Sequence, residues 1–281
     1  MRNLKSRWLV LLVPLLLAGC STLSISYNFV DWLLMARINH YFDLSAEQEG
    51  WVSGRLADLH TWHRKAELPR YVDFLIQVQT RWQDGLTAEE IDETFDGFQV
   101  LRTELAERVA AEGSVFLATV DETQIRHLEK EAQRDNRRWQ SEVGMTPEAR
   151  TAKRLKNVRQ WAKDWLGRLT SEQEHLIDRL VRGLPDTADA HLAYRVHRQH
   201  ELVLLLESKP PAAVIQKHLH DWMATPEKDA PPEYAIAVRQ SKENIKRIVL
   251  EIDRTVTPRQ RTHAADKLQK LIHQIQTLSA S

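Results

Sequence analysis

The chain of 281 residues contains one cysteine, Cys20, so it can form neither an internal disulfide nor a cysteine-ligated metal cluster. Nine glycines and ten prolines are few for this length. Their scarcity argues against a β-sandwich or barrel with many tight turns, and against collagen-like or disordered chains. Neither sign of charge is in excess: 39 Lys+Arg balance 39 Asp+Glu, which excludes a strongly basic nucleic-acid binder. The apolar run Trp8 to Leu17 is too short to span a bilayer, which needs about 20 residues. There is no HExxH, no Gly-rich phosphate loop ahead of a helix and no Gly-x-Ser-x-Gly elbow. Enzyme chemistry thus has no visible handle, and a non-enzymatic protein is expected.

The first twenty residues carry an address. Arg2, Lys5 and Arg7 precede the short apolar run, which ends in Leu17-Ala18-Gly19-Cys20. This resembles a bacterial lipobox within a signal peptide. The resemblance implies cleavage after residue 19, a diacylglycerol on the Cys20 sulfur and an acyl chain on its new amino group. That covalent lipid is the only added group expected; no other cofactor is implied. The expected organisation is a signal peptide over 1–19, a lipidated tether over 20–27 and a single all-α periplasmic domain over 28–281. A subdivision near Gly144 is left open. Removing residues 1–19 leaves 36 bases against 39 acids. Several acyl chains anchor stably where one is marginal. Ser21, in place of the aspartate that commonly retains lipoproteins at the inner membrane, favours the outer membrane facing the periplasm. Expected partners are the membrane, through the lipid, and a protein partner or client; the compartment excludes nucleic acid.

The remainder reads as helix throughout, because apolar residues recur with a 3.6-residue period and no strand-like alternation appears. An extended bundle of about ten helices is expected, over stretches including 28–42, 46–65, 70–84, 87–119, 121–142, 147–167 and 258–278. Prolines mark the breaks, Pro69, Pro147, Pro185 and Pro258 among them. One short pattern recurs six times: an apolar residue, a capping residue, two variable positions and usually Gln or Glu. Its capping residues are Ser45, Thr87, Asp121, Thr146, Thr170 and Thr257. Each side-chain oxygen is suited to accept from an orphan N–H of the first turn, while the Gln or Glu reaches back. The copies start 42, 34, 25, 24 and 87 residues apart, so this is no fixed-period solenoid.

The pattern resembles the LTxxQ signature of periplasmic stress chaperones of the Spy/CpxP type, which are small helical cradles. Capping boxes are common to any all-α protein and are the preferred account of it. The runs YNFVDWLLMARINHYFDLSAEQ (27–48), WHRKAELPRY (62–71) and DWLGRLTSEQ (164–173) resemble the DUF6279 family of bacterial lipoproteins. That resemblance implies an envelope lipoprotein and brings no established activity.

The densest polar constellation lies between His60 and Tyr71. On a regular helix His60, His63 and Glu67 share a face at i, i+3 and i+7, a spacing open to a metal. The competing reading is a hydrogen-bonded corner, with Glu67 and Arg70 fixing the turn at Pro69. A metal or small-ligand binder using this cluster is the alternative to a binding, scaffolding or chaperone-like role. Charge is unevenly spread: 17 acids and 7 bases over 43–122, but 12 bases and 6 acids over 126–168. Side-by-side packing of the two segments, or a face that steers a charged partner, would use this asymmetry. Tryptophans such as Trp32, Trp51, Trp62, Trp161 and Trp165 sit at helical spacing from other apolar residues, so the core is their expected place.

Overall fold

The computed structural model describes residues 20–281; the expected signal peptide, 1–19, lies outside them. Among the described residues there is no strand. The helices are α1 (Cys20–Asn28), α2 (Val30–Phe42), α3 (Ala46–Trp62), α4 (Leu68–Arg81), α5 (Ala88–Leu117) and α6 (Glu122–Val143), followed by α7 (Pro147–Leu166), α8 (Ser171–Arg182), α9 (Ala188–Glu207), α10 (Ala212–Ala224), α11 (Pro232–Asp253) and α12 (Pro258–Ala280).

Two features depart from the sequence reading. Residues 20–27, expected as the lipidated tether, are helical within α1, whose Leu23 and Tyr27, four apart, are buried against α12 and α4. Nor does Pro69 end a helix. A π-helical turn, His63–Glu67, joins α3 directly to α4, and the N–H of Leu68 bonds the carbonyl of His63. Proline has no N–H to give, and its ring crowds the carbonyl four residues back. One wider turn relieves that crowding and keeps the rod continuous.

Three cores organise the body. The first joins α1 and α4 to α12, whose Leu268, Leu271, Ile272, Ile275 and Leu278 form a continuous stripe. The second gathers Phe42 of α2, Val52 of α3 and Phe116 of α5 with Ile125 of α6, Leu202 of α9 and Ile215 of α10. The third packs α7 and α8 onto α11, through Leu166, Ile177, Val181 and Ile252. The chain crosses between cores at 144–146, yet a cut there would divide the first two cores, each of which draws on both halves.

The six caps are all made. Ser45, Thr87, Thr170 and Thr257 form full capping boxes, Thr146 accepts from the N–H of Ala149, and Asp121 exchanges bonds with Gln124 at 2.9 and 3.2 Å. Four boxes then pair across the structure. Gln48 and Gln124 exchange amide hydrogen bonds at 3.1 and 2.7 Å, and Gln124 Nε2 also donates to the carbonyl of Phe42. Gln173 and Gln260 do the same at 2.8 and 2.9 Å, with further bonds from their Nε2 atoms to the carbonyls of Thr255 and Arg168. Each Oε1 of the second pair therefore accepts from its own cap N–H and from the partner amide. Gln173 is fully buried and Gln260 is 5% exposed, so complete pairing is what makes such burial tolerable. Gly167, at φ +73°, makes the turn that leads from α7 into the Thr170 cap.

Candidate functional site

The corner where α1, the π turn, α4 and the end of α12 meet holds the polar constellation singled out in the sequence. Burial of Leu23 and Tyr27 brings the Tyr27 hydroxyl 2.9 Å from His63 Nδ1. The ring of His60 stands edge-on to Tyr27 at 4.8 Å, and His63 meets Tyr71 edge-on at 5.4 Å. The Arg64 guanidinium lies over the Tyr27 ring, 5.2 Å from its centroid, and donates to Asn28 Oδ1 at 2.8 Å and to Ser281 Oγ at 2.7 Å. Lys65 Nζ reaches the carbonyl of Ser279 at 3.3 Å. The π turn thus ties both ends of the described chain together.

Electrostatics fix the protonation states. Burial, reinforced by neighbouring His60, lowers the His63 pKa to about 4, so this imidazole is neutral at pH 7. Burial pushes Tyr27 up to about 12, opposed in part by Arg64, and raises Tyr71 as well. The Tyr27 hydroxyl and the His63 imidazole are therefore joined as two neutral groups. His60 is lowered by burial and by Arg64. Glu67, 3% exposed, is raised by burial, while Arg70 at 3.5 Å pulls it back down. Arg70 also pairs with Glu104 of α5.

The π turn changes which residues share a face. His63 turns to Tyr27, His60 to Arg64 and Tyr27, and Glu67 to Arg70. His60 and His63 thus both lie against Tyr27, while Glu67, beyond the extra residue of the turn, pairs with Arg70. Among the described residues, no three or more His, Cys, Asp or Glu side chains are placed to hold a metal ion. Elsewhere His197 faces Glu201 at 3.3 Å and His220 faces Asp221 at 3.6 Å.

The charged segments do not neutralise one another. Basic α7 finds its counter-charges in α8 and the connection after it: Arg159 to Asp178 at 3.7 Å, Lys163 to Glu174 at 3.3 Å, and Arg150 to Asp186 at 2.6 Å. Acidic α5 is met by Arg55, Arg70, Arg81 and Lys246. Helix α7 packs on α8 and α12 rather than on α5, whereas α6, the other half of the basic segment, meets the acidic segment through the apolar second core. An open cavity of about 530 Å³ lies at the α7–α8 turn, lined by Lys163, Gly167, Arg168, Leu169, Ser171 and Glu174.

Not all tryptophans are core. Trp165 packs between the first and third cores beneath Lys267, whereas Trp161 is partly exposed. The largest departure is in α1–α2, where Ile25 (59% exposed), Phe29 (58%), Trp32 (65%) and Leu33 (47%) face outward. Helix α2 buries a different face, through Met35, Ile38 and Phe42. Both faces are apolar, so periodicity alone could not say which is inward. Cys20 is the first residue of α1, so the expected acylation site leads into this segment with no intervening loop.

Fold and site together define an all-α bundle in which four helix starts are locked in two amide pairs, and whose densest polar cluster joins α1, the π turn and the end of α12. A family model, the family of unknown function DUF6279, matches residues 40–235, and the chain belongs to this family. The match runs from the last turn of α2 into α11, taking in the π turn but not Tyr27 or α12. No curated protein and no solved structure matches the chain.

Proposed function

We propose that this chain is a lipid-anchored protein of the bacterial envelope, held through acylated Cys20 at the outer membrane and facing the periplasm. Its role is non-enzymatic: binding, scaffolding or chaperone-like handling of a protein partner. The observation that carries this reading is the lipobox Leu17-Ala18-Gly19-Cys20 running straight into a helix whose Leu23 and Tyr27 are core residues. An anchor on such a helix holds the body at a fixed, short distance from the membrane, as suits a scaffold. The hydrogen bonds of Tyr27 with His63 and of Arg64 with Asn28 and Ser281 join α1, the π turn and the chain end, as suits a structural corner of a scaffold. The test is the mass of the amino-terminal peptide from envelope fractions. Two or three acyl chains on Cys20 are expected, abolished with membrane retention in Cys20→Ala; an unmodified Cys20 overturns the anchor. For the role itself, the body is added to an unfolding client while light scattering is followed. Suppression supports client handling, and its absence leaves a dedicated partner-binding scaffold.

A further inference from the structure

Residues 20–42 are almost one helix. The joint at Phe29 (φ −108°, ψ 12°) still keeps the helical bond from the N–H of Leu33 to the carbonyl of Phe29 at 3.0 Å. Along it, Ile25, Phe29, Trp32, Leu33 and Ala36 follow the spacing i, i+4, i+7, i+8, i+11 and fall within one arc of about 100°. Every member of this stripe is exposed, and none is charged. Chance scatter of apolar residues over a surface does not place an isoleucine, a phenylalanine, a tryptophan and a leucine on consecutive turns of one face.

What covers the stripe follows from where it lies. Ile25 is five residues beyond Cys20, about 7.5 Å along the helix. From Ser21 to Val30 there is no charged residue, and the first, Asp31, points away from the stripe by its helical position. Tryptophan and phenylalanine settle at the headgroup level of a bilayer, where the ring is half sheltered. Asn28 borders the stripe and accepts from Arg64, which puts a cation at its edge to meet anionic headgroups.

We infer that the α1–α2 stripe is a membrane-interface element: it lies in the headgroup region of the same leaflet that holds the acyl chains of Cys20. The inference rests on the lipid-anchor reading above and adds a second, non-covalent attachment that fixes the orientation of the body. A lipid chain alone leaves the body free to rotate about its attachment. A helix face embedded beside it removes that freedom and points the α7–α8 face in a set direction.

The test uses the complete chain 20–281 without acyl groups, mixed with vesicles of phosphatidylethanolamine and phosphatidylglycerol and followed by sedimentation. Trp32→Ser and Phe29→Ser are each expected to lower the partition coefficient on the order of tenfold. Ile245→Ser, at an exposed position of α11, is expected to leave it unchanged. Brominated lipid is expected to quench part of the tryptophan emission, and Trp32→Phe removes that quenched part while still sedimenting with vesicles. Partition that ignores Trp32→Ser and Phe29→Ser, or no partition at all, overturns the inference even if Cys20 proves acylated. A self-associated species in velocity sedimentation that Trp32→Ser dissociates also overturns it, by assigning the stripe to a second copy. Unmodified Cys20 in cells, with vesicle partition intact, sinks the anchor and leaves the stripe standing.

Discussion

The two glutamine pairs use the same four parts in different surroundings. At one site Gln48 is half-buried and Gln124 is 7% exposed, with Ser45 and Asp121 as caps. At the other, Gln173 and Gln260 are almost sealed, with Thr170 and Thr257 as caps. An amide carries one acceptor oxygen and two donor hydrogens, so it can serve its own cap, a partner amide and a neighbouring carbonyl at once. A glutamate makes an equally good capping box, as Glu90 does with Thr87, where burial by other helices makes no demand for donors. Pairing, rather than capping, is what selects glutamine in four of the six motifs.

The most severe test of this difference is Gln173→Glu. The carboxylate keeps the acceptor role toward Thr170 but cannot donate to Gln260 Oε1 or Thr255, and it places a buried charge beside two oxygens. A loss of about 4 kcal/mol in urea unfolding is expected. Because the folded state favours the protonated carboxyl, the deficit should shrink on acidification and grow as pH rises. A loss below about 1 kcal/mol would show that this pair is not a structural lock.

Acidification of the unmodified protein should instead find the π-turn corner, since the amide pairs do not titrate. His63 moves from 6.5 unfolded to about 4 folded, so its neutral state is stabilising above 6.5. That contribution is lost as pH falls from about 6.5 toward 4, at most about 3 kcal/mol. Unfolding followed between those limits should lose much of its pH slope in His63→Gln. Part of the slope should persist, because burial also lowers His60, His191 and His218. A smaller effect is expected for Gln48→Glu, about 1–2 kcal/mol, because water can serve the exposed side of that pair. Equal losses for Gln48→Glu and Gln173→Glu would erase the distinction between the pairs.

Helix periodicity and proline placement made the architecture legible almost element by element, and all six helix starts could be read from their caps. Three things were not legible, each for a physical reason. The partners of Gln48 and Gln173 lie 76 and 87 residues away, and nothing local encodes such a pairing. The π turn inserts a residue into the rotation between His60 and Glu67, so equal spacing in sequence no longer means one face. In α2 two apolar faces compete for the core. Met35, Ile38 and Phe42 take it because α3 and α6 pack there, and Trp32 is left outside.

The smallest expected effects come from the caps that stand alone, and they separate capping from pairing. Thr87→Ala removes the acceptor for the N–H of Glu90 and the hydroxyl that donates to the Glu90 carboxylate, while the backbone N–H of residue 87 still donates to it. These bonds hold the Glu90 pKa low, chiefly through the Thr87 N–H and hydroxyl. Thr146→Ala removes one bond, to the N–H of Ala149, from a helix whose first position is already Pro147. With φ preset by proline, α7 depends less on its cap. Losses of about 1 kcal/mol for Thr87→Ala and somewhat less for Thr146→Ala are expected by urea unfolding. Thr170→Ala should exceed both, because withdrawing that cap loosens the backbone N–H that positions Gln173 for Gln260. If all three alanine variants lose the same amount, the amide pair adds nothing beyond ordinary capping, and the glutamines of the two sites owe their place to packing alone.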